Sequence, residues 1–227
     1  MKSIVCGVLA LAALAGTVQA QPYYARGDFN GWSTGNELLP VGGGMYQATI
    51  GGLTAGATYG YKAAVGDWSY SEPGSNGVIA ANAGGSVTIH FFSATSWSDG
   101  WQPSAKARVG YVDPGMFGWE LVGDFEGWGT TPASLTNLGG GLYSAAITLA
   151  PGTYQGKFRK PGDWSYSIGD DFGNSAANLG FTVNPGDTGA MVYLDLPNGR
   201  WQITSVPTPG SLALLGLGGL VAGRRRR

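Results

Sequence analysis

The residues best suited to chemistry recur as a set: Trp32, Lys62 and Trp68, then Trp128, Lys157 and Trp164. A pyranose offers an apolar face of C–H groups and a rim of hydroxyls, so a sugar receptor needs flat aromatic platforms flanked by a few hydrogen-bonding side chains. These sets have that make-up, and they point to binding, not to bond breaking. His90 is the only histidine and has no counterpart in the second set, which argues against a His-based triad or metal site. Asp170, Asp171, Asn174 and Asp187 match no strong calcium-loop spacing and read as a solvated acidic turn. Glycosidase-like carboxylate pairs depend on proximity in space, which sequence leaves open, although small tandem modules are a poor setting for them. The expectation is a protein without catalytic residues, metal or cofactor.

An internal repeat positions these sets. Gly27-Asp28-Phe29-Asn30-Gly31-Trp32 returns as Gly123-Asp124-Phe125-Glu126-Gly127-Trp128, an offset of 96 residues. Gly42-Gly43-Gly44-Met45-Tyr46 returns as Gly139-Gly140-Gly141-Leu142-Tyr143, and Gly66-Asp67-Trp68-Ser69-Tyr70-Ser71 as Gly162-Asp163-Trp164-Ser165-Tyr166-Ser167. Each copy ends near a Trp-Gln pair, at Trp101 and Trp201. Segments such as Val87 to Phe92 alternate with the period of a strand, Gly clusters and Pro-Gly pairs punctuate them, and no helix is expected between the termini. The reading is all-β: two tandem immunoglobulin-like sandwiches over 21–103 and 109–205, joined by a polar linker at 104–108. Phe29 and Phe125 are expected to pack inward. Trp32 and Trp128 fit a core and a surface role equally, whereas Trp68 and Trp164, set in polar turns, are expected to face solvent.

The order Gly-Asp-Phe-Asn-Gly-Trp, then Tyr-Lys, then Gly-Asp-Trp resembles the glycogen- and starch-binding modules of carbohydrate-binding family 48. The resemblance implies an α-glucan site lined by the Trp closing the first motif, the Lys on the following strand and the Trp of the next turn. Those positions match Trp32, Lys62 and Trp68, and Trp128, Lys157 and Trp164. It also implies a sugar contact from a polar residue after that turn, for which Asn76 and Asn178 stand here, the second copy having a longer loop before it.

The ends of the chain speak of export. Lys2, an apolar run from Ile4 to Ala15 and Val18-Gln19-Ala20 form a signal peptide over 1–20. The single cysteine, Cys6, lies inside it, so the mature protein is expected to rely on packing without disulfides. Val206-Pro207-Thr208-Pro209, an apolar stretch over 211–223 and Arg224 to Arg227 make a tail over 206–227 that resembles the PEP-CTERM sorting signal, with Thr208 where that motif has Glu. The resemblance implies processing by an exosortase and a place at the cell surface or outside it, with membrane contact only through the termini. Between the two ends, eight basic residues face fourteen acidic ones, a net charge of about −6 that argues against nucleic acid. The leading expectation is a polysaccharide-binding surface protein, and its rival a structural protein of the surface or biofilm matrix that has lost the sugar site.

Overall fold

The computed structural model describes residues 21–207, so the signal peptide read over 1–20 and almost all of the sorting tail lie outside the described residues. The first repeat contributes β1 (Tyr23–Gly27), β2 (Glu37–Gly42), β3 (Met45–Ile50), β4 (Thr58–Val65), β5 (Ser71–Ala80), β6 (Val87–Phe92) and β7 (Arg108–Tyr111), in the sheet order β5-β4-β1-β2-β3-β6-β7. The second contributes β8 (Trp119–Gly123), β9 (Ala133–Gly139), β10 (Leu142–Thr148), β11 (Gly152–Lys160), β12 (Asp163–Ile168), β13 (Leu179–Val183), β14 (Asp187–Asp195) and β15 (Arg200–Pro207), in the order β12-β11-β8-β9-β10-β14-β15 with β13 also on β11. The expected all-β class holds. Alternation decides which faces are buried: Val87, Ile89 and Phe91 of β6 point inward while Thr88, His90 and Phe92 point outward.

Each repeat is one curled sheet. The first half of β2 pairs with β1 (Tyr24↔Glu37, Tyr23↔Leu38) and its second half with β3 (Leu39↔Gln47, Pro40↔Tyr46), so β2 turns the corner between two layers. The longer loop of the second repeat lies where β5 of the first runs on as a single strand: β11 takes β12 along Phe158–Arg159 and β13 along Gly152–Gly156.

The two repeats share one core. Tyr61, Tyr111, Trp119, Tyr166 and Phe172 are all buried in the same cluster, and the Tyr166 hydroxyl accepts the Ala80 backbone N–H at 3.0 Å. The segment read as a polar linker is part of this junction. Arg108 is 2% exposed, opens β7 and pairs with Phe92 across β6, so the first sheet takes a strand from beyond residue 104. Its guanidinium grips the Asp99 carboxylate through two bonds of 2.6 and 2.9 Å, which hold that carboxyl well below the usual carboxylate range. The two Trp-Gln pairs also meet: Gln102 and Trp201 exchange backbone hydrogen bonds of 2.8 Å. The acidic turn is likewise no free loop. Asp171 accepts the Ser75 N–H at 3.2 Å and Phe172 is 1% exposed against Tyr111, so the extra residues of the second repeat wedge into the junction.

Candidate functional site

The first motif folds identically in both repeats. Asp28–Asn30 and Asp124–Glu126 each make a single 3-10 turn, closed by Trp32 N–H on the Gly27 carbonyl (2.9 Å) and Trp128 N–H on the Gly123 carbonyl (2.8 Å). The third residue of the turn reaches back: Asn30 Oδ1 accepts the Gly27 N–H at 3.0 Å, as Glu126 Oε1 accepts that of Gly123 at 3.0 Å. Gly27 is fixed by crowding, because a Cβ there would collide with the Gly60 carbonyl oxygen and the Phe29 ring. Phe29 and Phe125 pack against the core as half-buried rings. The backbone then throws Trp32 (φ 62°) and Trp128 (φ 60°) into the left-handed region, which non-glycine residues seldom occupy.

The second motif is an Asp-Trp-Ser bracket. Asp67 Oδ1 accepts both the N–H (3.0 Å) and the hydroxyl (2.7 Å) of Ser69, and Asp163 Oδ1 does the same for Ser165 (2.9 and 2.6 Å). The serine bonds lower both aspartate pKa values. Trp68 and Trp164 sit between the arms of these brackets and are exposed, at 41% and 44%. Trp68 also carries a positive φ of 64°, while in the second repeat Gly162 takes the positive φ of the same turn.

Each motif supplies one indole to a pair. Trp32 and Trp68 have ring centres 6.2 Å apart with planes at 39°; Trp128 and Trp164 repeat this at 6.3 Å and 44°. Trp32 and Trp128 are half-buried partners of the exposed rings. A guanidinium lies against each exposed ring. Arg26, 8% exposed, stands 3.7 Å from the centre of Trp68, and Arg159, 6% exposed, 4.4 Å from that of Trp164. Because both arginines are buried, the tryptophans cover them, and the opposite face of each indole meets solvent. Arg26 donates to the carbonyls of Trp32, Val65 and Gly66, tying both turns together, whereas Arg159 is held by Glu120 at 2.6 Å.

The polar candidates divide. Register puts Lys62 opposite Arg26 and Lys157 two residues before Arg159, so each shares the outer face of the sheet with the arginine of its repeat. The Lys62 ammonium donates to the Pro73 and Gly74 carbonyls, both at 2.6 Å, and burial pulls its pKa below its ordinary value. The Lys157 ammonium makes no hydrogen bond or ion pair to the described residues. The pairings Tyr61↔Gly77 and Gly156↔Leu179 make Asn76 and Asn178 equivalent positions. Asn76 is exposed with an unbonded side chain, while Asn178 donates to Gln155 Oε1 at 3.0 Å.

The arginines escaped sequence reading. Arg26 aligns with Val122 and Arg159 with Ala64, so the same cation arrives from β1 in one repeat and β11 in the other, and comparing the repeats hides both. The Asp-x-Ser spacing around each exposed Trp was the legible signal of a fixed turn. Among the described residues no cluster of His, Cys, Asp and Glu is arranged to hold a metal ion, and no helix is long and apolar enough to cross a membrane.

No family model matches the chain, and no curated protein does. Among solved structures, the crystal structure of SusF from Bacteroides thetaiotaomicron is similar over 85% of this chain and 50% of its own, at 17% identity and a TM-score of 0.36. The chain therefore spans about half the length of that protein.

Proposed function

We propose that the protein is a non-catalytic polysaccharide-binding protein of the cell surface or extracellular space, taking an α-glucan or a related exopolysaccharide on one aromatic face of each repeat. The observation that carries this reading is the twinned indole pair, tilted by 39° and 44° and backed by a buried guanidinium although the arginine comes from a different strand each time. Each repeat is read as an immunoglobulin-like sandwich whose layers join at β2 or β9. Export by the signal peptide and processing of the tail by an exosortase complete the proposal.

The physics fits a weak, repeated contact. If a sugar covers about 100 Å² of one indole, the gain at roughly 25 cal/mol per Å² is about 2.5 kcal/mol. After the cost of association, two platforms and a few hydrogen bonds leave a Kd of order 10 μM to 1 mM per site. Two such sites on one polymer raise avidity by about 10² where both engage. Indoles tilted by some 40° suit a curving chain such as an α-glucan better than a flat ribbon.

A structural role at the surface or in a biofilm matrix is the second reading. It is favoured by Lys62 and Asn178, whose side chains already donate to the protein itself. Mixing the mature protein with insoluble starch, cellulose and chitin separates the two. Retention on starch that soluble maltodextrin reverses supports the proposal, and retention on none of the three leaves the structural reading.

A further inference from the structure

A polar hollow of about 310 Å³ opens where the two repeats meet, lined by Asp28, Gly60 and Asn76 of the first and by Ser165, Asn174 and Ser175 of the second. Its size lies at the lower end of small-molecule sites, about 300–1,000 Å³. One end abuts the first indole pair: Trp32 Nε1 donates to Asp28 Oδ1 at 3.0 Å, and the edge of the Trp32 ring lies over Gly60. The other end is Ser165, the residue after Trp164.

Hydrogen bonds at Asn174 frame this hollow. The Asn174 backbone N–H donates to the Asn76 carbonyl at 2.7 Å, and the Asn174 side-chain oxygen accepts from Ser167 N–H and hydroxyl at 2.8 and 2.9 Å. Those bonds leave the Asn174 amide nitrogen uncommitted. The Asn76 carboxamide and the Ser175 hydroxyl make no hydrogen bond to the described residues and are exposed. The rim thus offers both free donors and free acceptors, the complement that sugar hydroxyls require.

The second repeat differs at the equivalent positions. Gln155 stands where the first repeat has Gly60, and its side chain accepts the Asn178 amide at 3.0 Å, so the counterpart of the unbonded Asn76 is engaged there. On this asymmetry, and resting on the carbohydrate reading above, we infer that the junction hollow is a further sugar subsite, so that the first repeat's site continues onto residues of the second and takes a longer stretch of chain than the second repeat's own site.

Calorimetric titration of the whole mature protein with linear α-1,4-glucan oligosaccharides of increasing length tests this. Three proteins are compared: the parent, Ser175→Ala, and Ser175→Arg, which fills the hollow from an exposed position. Losing one hydrogen bond weakens the longer oligosaccharides by roughly 5-fold in Ser175→Ala, with the shortest unchanged. Ser175→Arg does the same by obstruction, and near-ultraviolet circular dichroism identical to the parent shows that both variants are folded. A parent that binds, with affinities unchanged in both variants at every length, overturns the subsite alone. A parent that binds no oligosaccharide overturns the carbohydrate reading and the subsite with it.

Discussion

The guanidinium of Arg26 lies 3.7 Å from the ring centre of Trp68 and is itself buried, so the contact decides which face of the indole meets solvent. Its three carbonyl partners belong to Trp32, Val65 and Gly66, at the two turns that carry the pair. Arg26→Ala therefore removes a cation–π contact and strands buried carbonyls, lowering unfolding stability by about 2–4 kcal/mol in chemical denaturation. Arg26→Lys keeps the charge but not the planar fork, and recovers less than half of that loss.

Backbone strain at the exposed indoles gives an inverted order of substitutions. Trp68 holds a φ of 64°, which glycine adopts freely and alanine does not, so Trp68→Gly is more stable than Trp68→Ala by about 1 kcal/mol. Trp164 has no positive φ, and there the usual order returns, with alanine at least as stable as glycine. Paired thermal melts of the four variants check both statements; the same order at the two sites contradicts the account.

Gly27 occupies extended backbone, so only crowding excludes a side chain there. Gly27→Ala drives a methyl group into the Gly60 carbonyl oxygen and costs about 1–3 kcal/mol, whereas Gly51→Ala, with nothing within 4 Å, is near neutral. Urea midpoints of the two variants separate these cases.

Much of the architecture was legible in the sequence because the repeat is local. The Gly-Asp-Phe-x-Gly-Trp turn and the Asp-Trp-Ser bracket are built from bonds between residues a few positions apart, so sequence alone marks Trp68 and Trp164 as turn residues. What escaped depends on distance along the chain. Arg26 and Arg159 reach equivalent places from non-equivalent strands, and Arg108 looked like linker charge until Asp99, Pro103 and Trp101 were folded around it. The shared core also lay beyond reach, since Phe172 in an acidic Gly-rich loop carries no strand pattern that would send it against Tyr111.

The Arg108–Asp99 pair adds an acid-sensitive component to stability. The folded carboxyl has a lower pKa than the unfolded one, about 3.9, so its contribution is present above that value and drains away as pH falls below it. Between pH 5 and about pH 3, Asp99→Asn is expected to lose less melting temperature than the parent does. Parallel slopes over that interval remove the pair from the acid response.

Affinity electrophoresis through gels containing glycogen, soluble starch or no polymer tests the central claim most directly, with the parent protein run beside a Trp68→Ala, Trp164→Ala double variant. The account predicts that the glucan gels retard the parent and that the variant, still folded, runs as it does without polymer. Equal mobility of the parent in every gel, or equal retardation of parent and variant, contradicts a glucan site on the paired indoles.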